Sequence, residues 1–149
     1  MRSKVINADR ERTFALIFEA GDEVMSLLSQ FASEQNLTAS RFTAIGAFER
    51  AVLGYFDWRK KDYKRIPVDQ QVEVLALVGD VALDKGVPKV HAHVVLGLED
   101  GTTRGGHLLE AHVRPTLEVM LTESPANLIR RHDPESGLAL IDIEEPPQP

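Results

Sequence analysis

The chain of 149 residues contains no cysteine. It therefore has no disulfide bond, no thiolate ligand for a metal and no cysteine nucleophile. Basic residues are fewer than acidic ones: the chain has 17 Lys and Arg and 23 Asp and Glu, which gives a formal net charge of −6. An acidic chain is repelled on average by nucleic acid and by anionic lipid, which disfavours a dedicated DNA-binding role.

Several sequence signatures are missing as well. The chain has no phosphate-binding P-loop, no G-x-G-x-x-G, no G-x-S-x-G, no helix-turn-helix pattern and no Arg-Gly-Arg-Pro hook for the minor groove. Its first residues lack the apolar core of a signal peptide, and no apolar run reaches membrane-spanning length. We therefore expect a cytoplasmic protein that makes no membrane contact.

The length and the 43% hydrophobic content predict one domain over residues 1–149. We expect its core within about 10–143, and a frayed tail at the Pro-rich end, residues 144–149. Residues 13–20 predict a strand. We expect an amphipathic helix that begins after Asp22 as its N-cap and ends at about residue 35. It is indicated by apolar side chains at i, i+3, i+4 and i+7, namely Val24, Leu27, Leu28 and Phe31.

The remainder of the chain is typical of β-strands. Residues 42–48 and 51–58 are apolar segments that Glu49-Arg50 would join as a tight hairpin. A short second helix is predicted over residues 125–131. Further strands are predicted at 71–78, 89–98, 103–113, 117–121 and 138–143. The pattern predicts an α+β domain with a mainly antiparallel β-sheet, one major helix near the N-terminus and the short second helix.

Three of the five histidines lie within seventeen residues. His91 and His93 are two apart in a predicted strand and so point to the same face. A hairpin turn at Asp100-Gly101 would bring His107 back nearly opposite His93. Three neutral imidazoles suit Zn²⁺ or a similar cation and leave a coordination position open.

The alternative is that these histidines are polar residues on a solvated or subunit-facing side of the sheet. His112 and His132 stand alone and are not expected to be ligands. Gly105 and Gly106, just before His107, either let the backbone closely approach a bound cofactor, another ligand or a neighbouring chain, or form a bulge or bend in the strand.

Glu73 and Glu118 each sit inside an otherwise apolar strand, where a carboxylate is costly unless it is paired or exposed. Either is a candidate catalytic residue: a fourth metal ligand, a general base beside a metal-bound water, or a partner that orients an imidazole. The alternative is that both face water or an arginine. Residues 59–65 form a basic loop with one aromatic, which could contact phosphates but is more typical of a solvated loop.

The chain resembles the prokaryotic stand-alone branch of the PPC domain (plants and prokaryotes conserved domain) over about residues 10–143. The resemblance lies in short motifs that follow one another in order: residues 45–48, 53–55, 73–79, the His91-x-His93 strand, 105–108, 117–119 and 133–138. It implies a PPC-like fold assembled as a homotrimer, with His91, His93 and His107 as a metal cluster near a subunit boundary.

Members of this family are commonly labelled as candidate DNA-binding proteins, a label that comes from plant relatives with a separate AT-hook, which this chain lacks. Three functions follow. The first is a trimeric, metal-binding protein, with zinc as the first choice of metal, that binds a small molecule or catalyses a reaction through metal-activated water or a polarised carbonyl. The second is a DNA-associated or regulatory module that uses residues 59–65. The third is a structural trimer joined through its histidines.

Overall fold

A computed structural model describes residues 1–7 and 11–143 of the chain. In that part the chain forms nine strands and one helix. In chain order these are β1 (Arg2–Asn7), β2 (Arg12–Glu19), α1 (Val24–Glu34), β3 (Ala39–Asp57), β4 (Asp62–Val68), β5 (Val72–Asp84), β6 (Val87–Gly97), β7 (Thr103–Glu123), β8 (Ile129–His132) and β9 (Ala139–Asp142). The tail predicted at residues 144–149 lies outside the described residues.

All nine strands belong to one sheet, and four of them close on themselves. Strand β3 pairs with both β5 and β7, and β6 also pairs with β5 and β7, in each case antiparallel. The pairings therefore run β3–β5–β6–β7 and return to β3. The predicted mainly antiparallel sheet is confirmed, with a parallel pairing between β5 and β8.

The hydrophobic core lies on the inner face of these strands, where alternate residues are buried. In β7, for example, Leu117, Val119 and Leu121 are buried while Glu118 and Met120 are exposed. This is the period of two expected for a strand with one face in the core. We call the opposite, solvent-facing side the outer face of the sheet.

Helix α1 covers part of the core and contacts β6 and β7. Val24, Leu28 and Phe31 are buried, as the helical spacing predicts. The N-cap is Glu23 rather than the predicted Asp22. The carboxylate of Glu23 accepts hydrogen bonds from the backbone N–H of Ser26 at 2.7 Å and of Met25 at 3.2 Å. Its longer side chain allows it also to accept from the Ala111 N–H at 3.1 Å, which ties the helix to β7.

The predicted hairpin at Glu49-Arg50 is wrong, because β3 runs straight through it. Phe48 faces Val113 and Arg50 faces His112, and the register shifts between these pairs. Glu49 and Arg50, two consecutive exposed residues, therefore lie at a β-bulge, where β3 contains one more residue than β7 and the strand continues. Neither residue favours the positive φ of a tight hairpin. The strands predicted at 103–113 and 117–121 are likewise two parts of β7.

The predicted second helix over residues 125–131 is also wrong. Residues 125–126 form a bend, and the following chain pairs with other strands: Leu128 donates to the Thr38 carbonyl at 3.1 Å, and its own carbonyl accepts from Leu83 at 2.8 Å. Ile129 then begins β8 beside β5. Pairing with existing strands satisfies the backbone groups that a short helix would leave unpaired at its ends.

Residues 62–65 of the predicted basic loop belong to β4, which pairs with β3. Among the described residues, no helix has the length and apolar character needed to cross a membrane.

Gly79 is required where β5 packs closely against its neighbours. A Cβ there would lie 2.2 Å from Cζ of Phe42 and 2.4 Å from the His91 carbonyl oxygen. We expect Gly79→Ala to lower the free energy of unfolding by about 1–3 kcal/mol, as overpacking does. Urea denaturation measures it. Gly97→Ala is the matched control, because the atoms nearest its Cβ would belong to the exposed Leu75 side chain, at 3.2 Å. Equal losses in the two variants would contradict the interpretation.

Candidate metal centre

The hairpin between β6 and β7 sets the position of the histidines. Its turn contains Gly101 with a φ of 79°, and the Asp100 carboxylate accepts hydrogen bonds from the N–H of Thr102 at 2.9 Å and its hydroxyl at 2.6 Å. The strands leave this turn in a register that places His93 directly opposite His107. The predicted hairpin and pairing are confirmed.

The three imidazoles meet on the outer face of the sheet. One ligand nitrogen from each of His91, His93 and His107 lies within 4.8 Å of the others. The Nε2 atoms of His91 and His93 are 3.2 Å apart. Two nitrogens bound to a tetrahedral zinc at about 2.0–2.1 Å would be separated by about 3.3 Å. The spacing and the all-imidazole donor set therefore fit a divalent metal of the zinc type.

His107 is partly buried, whereas His93 is exposed. Its ring stacks on Tyr63, with centroids 4.6 Å apart and an interplanar angle of 28°. Burial, and then the nearby His91, His93 and Lys89, lower the pKa of His107 to about 4. Burial and His91 also lower the pKa of His93. Both rings are therefore neutral near pH 7, the form that binds metal.

The buried Nδ1 of His107 has no hydrogen-bond partner among the described residues. A buried polar atom without a partner is costly unless something else satisfies it. A cation bound at this nitrogen itself would remove that cost, so the unpartnered atom fits a metal held through Nδ1 of His107.

Asp80 contacts the triad from β5. Its Oδ2 lies 3.4 Å from Nδ1 of His91, while its Oδ1 accepts a hydrogen bond from the Arg130 guanidinium. Burial would raise the pKa of Asp80, but the hydrogen bond from His91 and the charge of Arg130 outweigh it and the pKa is lowered. An ionised carboxylate on Nδ1 leaves Nε2 of His91 directed at His93, as in carboxylate–histidine–metal sites.

Sequence reasoning missed Asp80, Arg130 and Tyr63. Asp80 could have been found, because β5 and β6 are joined by the two residues Lys85-Gly86, both with positive φ. Counting back from that turn places Asp80 opposite His91, the register observed. No comparable signal exists for Arg130, which is 50 residues from Asp80 in the chain.

The other predicted site residues lie elsewhere on the sheet. Glu73 is exposed and lines a separate hollow of about 420 Å³ together with Leu98 and Glu99. Glu118 is exposed on the outer face, opposite Ile45. The structure does not bring either carboxylate together with the histidines.

Gly105 and Gly106 allow β7 to approach its two neighbouring strands. A Cβ at Gly105 would lie 3.0 Å from the Val94 carbonyl oxygen, and one at Gly106 would lie 2.8 Å from the Gly54 carbonyl oxygen. This close strand packing explains both glycines without a ligand.

The depressed pKa of His107 predicts a pH dependence of stability in chelator-treated protein. In the unfolded chain His107 is protonated with its ordinary pKa of 6.5, whereas in the folded protein its pKa is about 4. The contribution of neutral His107 to the free energy of unfolding is therefore complete above pH 6.5 and is lost as the pH falls towards 4.

We expect the melting temperature of the metal-free protein to fall less between pH 7 and pH 5 in His107→Gln than in the natural protein. His132→Gln, at an exposed position on β8, is the control and should follow the natural protein. An identical pH dependence in all three proteins would refute the assignment. Thermal melts followed by circular dichroism provide the measurement.

Comparison with known proteins places the chain in a family. The family model described as the Plants and Prokaryotes Conserved (PCC) domain matches residues 6–125. No match was found among curated proteins. Several solved structures are similar. A plant- and prokaryote-conserved (PPC) protein from Pyrococcus horikoshii is 34% identical, with a TM-score of 0.83, and the match covers 90% of this chain and 93% of that one.

Two further structures carry functional descriptions. A "Metal-containing Protein" from Archaeoglobus fulgidus is 33% identical over 93% of this chain and 98% of that one, with a TM-score of 0.81. A "Putative DNA-binding protein" from Ralstonia eutropha is 27% identical over 88% and 91%, with a TM-score of 0.82. The family model covers most of the chain and the Pyrococcus horikoshii structure shares its fold over 90% of the chain, so this protein belongs to the Plants and Prokaryotes Conserved domain family.

Proposed function

We propose that His91, His93 and His107 bind one divalent metal ion, zinc being the first choice, in each chain. The observation that carries this proposal is the convergence of three imidazole nitrogens within 4.8 Å from two paired strands. The "Metal-containing" description of the Archaeoglobus fulgidus relative supports it. Three protein ligands leave a position for water or a small molecule, as in catalytic zinc sites.

The neighbouring side chains of this chain suit such a centre. When bound, the metal would polarise a ligand in its open position. The Asp80 carboxylate favours the tautomer of His91 that is protonated at Nδ1, and the ion pair with Arg130 fixes the position of that carboxylate. Burial raises the pKa of Tyr63, so its phenol stays protonated at neutral pH and can donate a hydrogen bond beside His107. We propose Tyr63, rather than Glu73 or Glu118, as the proton carrier nearest this centre.

We also propose that the protein is a cytoplasmic homotrimer that assembles through the outer face. Thr43 pairs with Val78 on one side and with Met120 on the other, so these side chains share that face. Large apolar side chains are exposed there, Ile45 by 62% and Leu75 by 53%. Such a contiguous apolar patch is typical of a protein interface. Val78 also faces His93, which puts the triad beside the proposed boundary.

Metal content tests the first proposal. We expect about one zinc or cobalt ion per chain after loading and dialysis, and close to none after a triple His91→Ala, His93→Ala, His107→Ala change, since no thiolate replaces the lost ligands. Elemental analysis gives the stoichiometry. His132→Ala is the control and should retain the metal. A natural protein that holds no metal would refute the proposal.

Asp80→Asn serves as an intermediate arm of the same experiment. An amide cannot supply the carboxylate charge that holds His91, so the affinity for metal should fall by about 10–100-fold while the stoichiometry at saturation is unchanged. Competition with a chromophoric chelator measures the affinity.

The oligomer is tested by light scattering after gel filtration. We expect three times the 16.6 kDa chain mass for the natural protein and a smaller assembly for Ile45→Glu, since a carboxylate cannot be buried unpaired in an apolar interface. The control is Ile129→Glu, at an exposed isoleucine on β8. A natural protein of monomer mass would overturn the trimer.

The second candidate function is DNA binding, favoured by the description of the Ralstonia eutropha relative and by the exposed Arg59, Lys60 and Lys61 between β3 and β4. The net charge of −6 opposes it. We expect binding to duplex DNA to disappear at physiological ionic strength, because few phosphate contacts are available. Fluorescence anisotropy measures it. Binding that persists at that ionic strength and is lost in Arg59→Glu/Lys60→Glu would instead support the second function.

A further inference from the structure

A hollow of about 340 Å³ opens directly beside the histidine triad. Its volume is at the lower end of the range for small-molecule sites, about 300–1,000 Å³. Its polar and charged side chains other than the histidines are Tyr63, Lys89 and Arg130, and its apolar wall is formed by Val90 and residues 138–140. No carboxylate is among the residues that line it. The two charged side chains that line it are both cationic, and each is paired with a carboxylate outside the hollow, Lys89 with Asp84 and Arg130 with Asp80.

Lys89 belongs to the same face of β6 as the metal-binding candidates. It precedes His91 by two residues and His93 by four, so strand alternation aligns the three side chains. Its ammonium lies 3.2 Å from the Asp84 carboxylate, and the Lys89 side chain is 55% exposed. A ligand that enters the hollow from solvent can therefore contact the Lys89 ammonium.

Arg130 is fixed in the wall of the hollow rather than solvated. Its side chain is only 7% exposed, one terminal nitrogen donates to the Ala139 carbonyl at 3.2 Å, and the other donates to Asp80. Its Nε is buried and has no hydrogen-bond partner among the described residues. A buried cation with an unsatisfied donor favours a nearby anionic oxygen.

We propose that this hollow binds a small organic carboxylate. Its anionic group would lie at the end bordered by the metal, Lys89 and Arg130, and its short apolar part would lie against Leu138 and Leu140. This rests on the proposed metal site. Imidazoles that bind a metal are neutral, so a divalent ion would add two positive charges that Asp80 and Asp84, already paired with Arg130 and Lys89, do not balance. The apolar wall favours an organic anion over inorganic phosphate.

Cobalt-loaded protein provides the test, because the visible spectrum of Co²⁺ responds to a change in its ligands. Cobalt stoichiometry is measured first, and butanoate is then titrated against butanamide, butylammonium and inorganic phosphate. We expect butanoate to change the spectrum with saturation. The amide and the ammonium have the same carbon chain without negative charge and should have no effect. Acetate lacks two methylene groups and should bind about tenfold more weakly.

Variants identify the residues involved. Lys89→Gln should weaken butanoate binding several-fold and Lys89→Arg should restore it, while cobalt stoichiometry stays constant in both. Lys85→Gln is the matched control, an exposed lysine on the β5–β6 turn and outside the hollow. Leu140→Ser should reduce the advantage of butanoate over acetate. Isothermal titration calorimetry gives the affinities independently of the spectrum.

The outcomes separate the two proposals. A protein that holds no cobalt overturns the metal site and this inference together. A protein that holds cobalt but whose spectrum and heats do not respond to millimolar butanoate overturns this inference alone. Equal binding of butanamide, tighter binding of phosphate, or identical butanoate affinity in Lys89→Gln and Lys85→Gln would also overturn it.

Discussion

The structure depends most on the register between β6 and β7. Side chains alternate along a strand, so a slip of one residue in either strand would turn His93 or His107 into the core and break the triad. Two constraints hold this register. One is the turn at Asp100-Gly101, whose carboxylate is hydrogen-bonded to Thr102. The other is the closure of the four-strand ring, in which both strands also pair with further neighbours.

The same closure explains how a polar cluster persists in a mostly apolar sheet. Asp80 faces His91 across the β5–β6 pair, and Arg130 reaches Asp80 from β8. Each charge therefore has an opposite charge beside it, which lowers the cost of removing it from water. Asp80 therefore has two roles, because it pairs with Arg130 and also lies beside Nδ1 of His91.

The outer face combines two properties that are usually kept apart. Apolar side chains such as Ile45, Leu75 and Met120 are exposed on it, and the histidines lie on the same side of the sheet. If assembly covers the apolar part, the histidine triad comes to lie near a subunit boundary, where water is more restricted. Assembly would then strengthen the electrostatic interactions at the triad by lowering the local dielectric.

The sequence alone determined what depends on local periodicity and on turn chemistry. The helical spacing of Val24, Leu28 and Phe31, the alternation around His91 and His93, and the Asp100-Gly101 turn each predicted their structure correctly. The β5–β6 turn would have revealed Asp80 by the same counting. Tertiary structure decided the rest. Only the pairing of β3 with β7 turned Glu49-Arg50 into a bulge, and only the β5–β8 pairing brought Arg130 to Asp80. Local propensity contains no information about contacts between residues far apart in the chain, because their energies appear only once the strands have paired.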